Sequence, residues 1–138
     1  MSLTILKIVV LVQLENKRIL LVDDDPDFLN LSKIFFESKG FAVDIAANGT
    51  EAIQRFKESP QDLLIVDIKL PDMLGDEVVK QVRDENGETS IIMITGYPHL
   101  QESIDLLGFN ISDILLKPVT SKELLLAVYD ALDMRIVD

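Results

Sequence analysis

From Arg18 onward the chain alternates between two hydrophobic patterns. Five short, apolar, β-branched runs (Arg18–Val22, Phe41–Ala46, Asp62–Val66, Ser90–Ile94 and Asp113–Leu116) are separated by amphipathic stretches. Successive runs start 21 to 28 residues apart, enough for one strand, one helix and two loops. Alternating strand and helix without hairpin signals predicts the α/β class, a five-stranded parallel sheet with helices on both faces. Four runs are continuously apolar, as strands covered on both sides are. The second sets Phe41, Val43 and Ile45 against Ala42, Asp44 and Ala46, and that alternation predicts a strand at the sheet edge.

The stretches between the runs carry helix signals. Asp25 before Pro26 reads as an N-cap with proline at the first helical position, Phe28, Leu31 and Phe35 share one face, and Gly40 ends the helix. Asn48-Gly49 leads into a second helix that ends near Pro60, and a third runs from about Asp76 to Asp84, ahead of the polar loop Glu85–Thr89. A fourth is expected over 100–107, stopped by Gly108, and a fifth after Thr120-Ser121, with Leu124, Leu125, Val128 and Leu132 turned inward. No composition shift divides residues 18–134, which form one domain behind an extension, residues 1–17. Within that extension Leu3–Leu14 is nearly all apolar but is broken by Thr4, Lys7 and Gln13. It falls short of the roughly 20 residues a bilayer span needs. No basic residue precedes it and no small-residue cleavage site follows, so it is a poor signal peptide. Its β-branched content points to an extra strand or a piece of a preceding element, and no function is attached to it.

Composition narrows the chemistry. The 138 residues include 13 Lys+Arg against 24 Asp+Glu, a net charge of −11, and no cysteine. The missing thiols exclude a disulfide framework, a cysteine-ligated zinc site and a thiol nucleophile. The acidic balance gives no footprint for nucleic acid, so a ligand here is a cation, a metal ion or a protein.

What ends the strands is more informative. The first run stops at Asp23-Asp24-Asp25, the third at Asp67, the fourth at Thr95 and the fifth at Lys117. In an open parallel sheet ligands bind beyond the carboxyl ends of the strands, so four segments deliver acids, a hydroxyl and an ammonium to one rim. Two carboxylates about 5 Å apart repel by about 3 kcal/mol at an effective dielectric near 20. A hard divalent cation relieves this, and Mg²⁺ takes a few carboxylates, waters and a phosphate oxygen. An aspartate nucleophile, a metal, a hydroxyl and a lysine are the parts needed to receive a phosphoryl group.

At these residues the chain resembles a known family. LLVDDDPD, LIVDIKLPDMLG, IMITG and LLKP match, in order and spacing, the receiver domain of two-component response regulators, over Arg18 to about Met134. The resemblance implies strand order 2-1-3-4-5 and phosphorylation of Asp67 from the phosphohistidine of a histidine kinase or phosphotransfer protein. It implies Mg²⁺ held by Asp24 directly, by Asp23 through metal-bound water, by Asp67 and by the backbone carbonyl of Lys69. Thr95 matches the hydroxyl that contacts the phosphoryl oxygens, Lys117 the lysine that pairs with them, and Pro118 the family's cis-proline position. It further implies a cytoplasmic signalling domain rather than an enzyme. Its phosphorylation-sensitive surface would comprise the fourth helix, fifth strand and fifth helix, and would admit a homodimer.

One position departs from the pattern: the family places an aromatic residue three before the lysine, where this chain has Ile114. Tyr97, two residues after Thr95, is a candidate for part of that switching role, and with Lys69 it occupies a position that tunes hydrolysis of the aspartyl phosphate. Asp25 and Asp27 are read as an N-cap and a first-turn acid, and the lone His99 as a solvated loop residue. Two other functions stay open. A haloacid-dehalogenase-like phosphatase would use Asp23-x-Asp25, Thr95 and Lys117, but it needs an acidic pair after the lysine and leaves Asp67 without a role. A degenerate receiver would bind a partner without being phosphorylated. The chain is either stand-alone or excised from a longer regulator.

Overall fold

A computed structural model describes residues 2–7, 17–99, 108 and 110–132. In chain order the elements are β1 (Arg18–Val22), α1 (Pro26–Ser38), β2 (Ala42–Ala46), α2 (Gly49–Glu58), β3 (Leu63–Asp67), α3 (Gly75–Glu85), β4 (Ser90–Thr95), β5 (Asp113–Leu116) and α4 (Ser121–Ala131). The strands are all parallel, in the order β2-β1-β3-β4-β5. The alternating strand takes the predicted edge. Register fixes the rim: Val22 lies beside Ala46 and Val66, Asp67 beside Ile94, and Thr95 beside Leu116. Asp23, Asp67, Thr95 and Lys117 therefore leave the sheet at the same end.

Period-2 alternation sorts the apolar strands between two cores. Leu20, Val22, Leu64, Val66, Ile91 and Met93 face Ala52 and Phe56 of α2 and Val78, Val79 and Val82 of α3. Ile19, Leu21, Leu63, Ile65, Ile92 and Ile94 face Leu29 and Phe36 of α1 and Leu124, Ala127 and Val128 of α4. Each fully buried Leu or Ile stabilises the fold by roughly 1.5–3 kcal/mol, so both faces of the sheet are fixed and the loops at its ends inherit defined positions.

The predicted Asp25 cap forms, and Asn48 and Thr120 cap the helices they precede. Asp25 accepts the amides of Asp27 and Phe28 at 3.0 and 3.4 Å, Asn48 that of Glu51 at 2.8 Å, and Thr120 that of Glu123 at 3.1 Å. Gly40 ends α1 at φ 98°, a left-handed conformation that favours glycine.

Two expectations are corrected. The buried stripe of α1 is Leu29, Ser32 and Phe36, with Phe28 and Phe35 half-buried, while Leu31 is 69% exposed. The helix is rotated by about one residue from the Phe28–Leu31–Phe35 face, with the small Ser32 buried between Leu29 and Phe36 on the inner stripe. Near the N-terminus, residues 3–7 are helical and not an extra strand. Ser2 caps that turn, its hydroxyl accepting the Ile5 amide at 3.2 Å and its carbonyl the Leu6 amide at 3.2 Å. Local capping there outweighs β-branched propensity, a weak and context-dependent preference. The expected helix over 100–107 lies outside the described residues, as do 8–16 and 133–138.

Candidate functional site

The extended chain leaving β1 turns alternate side chains to opposite sides, so Asp23 is completely buried while Asp24 is exposed. The Asp23 carboxylate accepts the Asp25 amide at 2.9 Å on one oxygen and the Lys117 ammonium at 2.8 Å on the other. Asp67, the last residue of β3, is also buried. One of its oxygens accepts the Lys69 amide at 3.0 Å and the other the Lys117 ammonium at 2.7 Å. Lys117 is set by the β5 edge: its own amide donates to the Thr95 carbonyl at 2.8 Å, and the peptide to Pro118 is cis. Its Nζ also lies 5.6 Å from the centre of the Phe28 ring.

Asp23, Asp24 and Asp67 each offer a carboxylate oxygen within 4.8 Å of the others. At that separation a pair repels by about 3 kcal/mol at an effective dielectric near 20. Three carboxylates face one ammonium, leaving two negative charges in excess. Burial raises the pKa of Asp23 above the ordinary carboxylate value, against the lowering hydrogen bond from Lys117. Burial alone would lower that of Lys117, but its bonds to Asp23 and Asp67 outweigh burial and the net direction is upward. The two directions agree once the charges are counted. Lys117 gains from two anions and stays protonated, whereas Asp23 is fully desolvated and shares its one cation with Asp67. Hard oxygen donors, two buried and one open to solvent, with two uncompensated charges, fit Mg²⁺.

Thr95 is fully buried, and its hydroxyl is engaged within its own loop: the oxygen accepts the Tyr97 amide at 2.8 Å and the hydroxyl donates to the Tyr97 carbonyl at 3.3 Å. The Tyr97 ring is 43% exposed at the mouth of the cleft, with Lys69 Nζ 4.6 Å from its centre and His99 edge-on at 6.1 Å. The loop between β3 and α3 is drawn tight by bonds from Gly75 to the Ile68 carbonyl at 2.6 Å and from Leu70 to the Met73 carbonyl at 3.2 Å. A side chain at position 75 would collide with the Asp67 carbonyl, so only glycine permits this approach.

Of the six residues expected from the sequence, Asp23, Asp24, Asp67 and Lys117 are brought together and the Lys69 amide meets Asp67, while Thr95 leaves the sheet at the same rim with its hydroxyl bonded to Tyr97. Comparison with known proteins decides what family the site belongs to. The family model for the response regulator receiver domain matches residues 19–129. The chain belongs to this family. Its fold resembles a CheY-like receiver domain protein from Methanospirillum hungatei, with a TM-score of 0.79 and 36% identity over 85% of this chain and 94% of that one. It also resembles the response regulator TrrA of Thermotoga maritima, solved in complex with Mg²⁺-BeF, with a TM-score of 0.75 and 34% identity over 83% of this chain and 98% of that one. Among curated proteins, the transcriptional regulatory protein TrcR of Mycobacterium tuberculosis is 35% identical over 78% of this chain. The match spans only 42% of TrcR.

Within this receiver domain, Ile114 is half-buried against the core beneath α2 and α3, and the exposed aromatic ring near Thr95 is that of Tyr97. Sequence reasoning missed two contributors. Phe28, assigned only to the core, also supports the Lys117 ammonium. Asp72, assigned nothing, accepts the amides of Gly49 and Thr50 at 2.8 and 2.9 Å and the Thr50 hydroxyl at 2.7 Å, tying the Asp67 loop to the start of α2. Only the Pro71-Asp72 turn sequence hints at an acceptor there, and it does not name its partner.

Proposed function

We propose that this receiver domain takes a phosphoryl group onto Asp67 from the phosphohistidine of a histidine kinase or phosphotransfer protein. The observation that carries the reading is the double contact of Lys117 with Asp67 and Asp23, at 2.7 and 2.8 Å, inside a cluster left with excess negative charge. Asp23, Asp24, Asp67 and the backbone carbonyl of Lys69 would hold Mg²⁺, which when bound neutralises charge on the acids and on the incoming phosphoryl oxygens.

The protein's own groups supply the rest. A carboxylate oxygen of Asp67 attacks phosphorus, the P–O bond forms as the P–N bond to the donor imidazole breaks, and the imidazole leaves with the electron pair. The Lys69 amide and Lys117 hold the Asp67 carboxylate in one orientation before attack. Afterwards Lys117 is free to pair with phosphoryl oxygens. Thr95 reaches the same oxygens only by giving up the Tyr97 carbonyl, so modification of Asp67 alters the loop that carries Tyr97. The signal is that differential interaction, a shift in population between two loop states.

The haloacid-dehalogenase alternative is weakened by Asp25, whose carboxylate is engaged in capping α1 and lies outside the acidic cluster. Asp23, Asp24, Asp67, Thr95 and Lys117 are all present in the sequence, which disfavours a degenerate receiver. We assign residues 18–134 to the receiver and 1–17 to an extension, place the protein in the cytoplasm, and take the segment 100–107, β5 and α4 as its output face and as a site for a homodimer. Among the described residues no helix is long and apolar enough to cross a membrane.

Incubation with an acyl phosphate and Mg²⁺ should add one phosphate, seen by intact mass, to the wild type and none to Asp67→Ala. Steady release of phosphate from a generic ester, dependent on Asp23 and indifferent to Asp67, would overturn the assignment.

A further inference from the structure

The chain contains two Asn-Gly pairs, Asn48-Gly49 and Asn86-Gly87, and the fold treats them differently. Asn-Gly is the dipeptide most prone to self-modification, because glycine has no side chain to shield its amide nitrogen from the asparagine carboxamide. We infer that Asn86 is a spontaneous deamidation site of the folded protein, and that Asn48 is protected because Asp72 holds the Gly49 amide. In this step the glycine nitrogen forms a bond to Cγ of the asparagine and the Cγ–NH₂ bond breaks. Ammonia leaves with the amide proton, and water opens the cyclic imide to aspartate or isoaspartate. No oxidant or further reactant is required.

At the first pair the attacking nitrogen is tied down. Gly49 is the first residue of α2 and is buried, and its N–H donates to Asp72 Oδ1 at 2.8 Å. Asn48 is occupied as well, its Oδ1 accepting the Glu51 amide at 2.8 Å. Attack would have to break the Gly49 bond to Asp72 and unwind the first turn of α2, while negative charge developed on a nitrogen already facing a carboxylate. That carboxylate is a poor base: its hydrogen bonds from Thr50 and Gly49 hold its pKa down at about 2.

At the second pair nothing restrains the nitrogen. Gly87 is exposed, a Cβ there would meet nothing within 4 Å, and its N–H donates to no acceptor among the described residues. Asn86 Oδ1 accepts the Glu88 amide at 2.8 Å. That bond polarises the carboxamide carbonyl whose carbon the Gly87 nitrogen would attack. The product is also consequential. Asp84, Glu85 and Glu88 already surround this helix end, where a further anion opposes the dipole of α3. An isoaspartate would add a methylene to the backbone beside the Gly87 carbonyl that Arg83 holds at 3.0 Å.

The test is to age the intact protein at mildly alkaline pH below its unfolding temperature, then map peptides by mass spectrometry with isoaspartate detection. The gain of one mass unit should accumulate at Asn86 while Asn48 stays intact. Asp72→Ala should accelerate Asn48 by about tenfold, as expected for loss of one charge-assisted hydrogen bond. In denaturant the two sites of the wild type should converge, since their local sequences are alike. Should Asn48 deamidate as fast as Asn86 in the folded wild type, the protection fails. Should Asn86 be slower folded than unfolded by as much as Asn48, the claim that its loop permits attack fails. Neither depends on Asp72→Ala folding, and neither involves phosphorylation of Asp67.

Discussion

Near the amino ends of the strands most charges and polar groups find partners within the protein, Gln61 Oε1 and Arg83 Nε being the buried side-chain atoms without one among the described residues. Asp44 meets the Arg18 guanidinium at 3.4 Å and the Gln61 amide at 2.8 Å, Asp62 accepts the Arg18 amide at 2.8 Å, and Thr89 donates to the Gln61 carbonyl at 3.1 Å. Arg83 reaches from α3 to the carbonyls of Gly87, Thr89 and Asn110. At the carboxyl ends three carboxylates crowd around one lysine. The same sheet thus has one end whose charges are mostly answered within the protein and another where carboxylates outnumber the ammonium they share. Closure makes a scaffold. An unbalanced cluster has affinity left over for something outside the chain, here a divalent cation and a phosphoryl group.

The largest effect should come from breaking the closed end. Burial disfavours the charge of Arg83 and lowers its pKa, so its hydrogen bonds to loop carbonyls are what keep it in place. Truncation in Arg83→Ala leaves the buried Thr89 without that donor and frees the loop ahead of β5. We expect a loss of about 3 kcal/mol in urea unfolding, with acyl-phosphate labelling of the folded fraction retained. A folded variant that cannot be labelled would erase the division between scaffold and site.

Next in size is relief at the open end. Asp23→Asn removes one buried anion and keeps one acceptor oxygen, enough for either Lys117 or the Asp25 amide, while Lys117 retains Asp67. Without metal the variant should be more stable than the wild type by about 1 kcal/mol, since unbalanced buried charge costs more than it returns. Mg²⁺ should reverse the order. At ten times its dissociation constant a ligand adds about 1.4 kcal/mol to the wild type, and the variant should gain little of that. If Asp23→Asn proves less stable with and without metal, the carboxylates are not in excess.

Most of this contrast was legible in the sequence at the strand ends, for a physical reason. A buried parallel strand excludes charge, so the abrupt change from Arg18–Val22 to Asp23, or from Ile65-Val66 to Asp67, marks both the end of the sheet and the rim where ligands bind. Helix starts were legible for the same reason, because caps act between residues two or three apart. What escaped depends on rotation or on long-range pairing. The true stripe of α1 differs from the predicted one by a single residue, and the apolar pattern of Phe28, Leu29, Leu31, Ile34, Phe35 and Phe36 fits either. Asp72 finds its partners 22 and 23 residues away, at Thr50 and Gly49, and no local signal specifies them.

Asp72 supplies the smallest test, because it is an acid at the rim whose charge is answered. Hydrogen bonds from the Thr50 hydroxyl and the Gly49 amide lower its pKa from 3.8 to about 2, the direction opposite to that of Asp23. A carboxylate with a depressed native pKa contributes stability that is fully present above its unfolded value and is lost as pH falls through its folded value. Asp72→Asn keeps one acceptor oxygen but not the charge. The variant should therefore be less stable at neutral pH by up to about 1 kcal/mol, the usual worth of a helix cap with its dipole interaction. The difference should be largest at low salt, because Asp72 is exposed and screened. It should shrink as pH drops below about 4 and be mostly gone by pH 2, where the wild-type carboxyl is about half protonated. Urea midpoints of the two proteins across that window give the answer. A gap that persists unchanged to pH 2 would mean that Asp72 acts by shape alone, and the distinction between answered and unanswered acids at this rim would rest on Asp23 only.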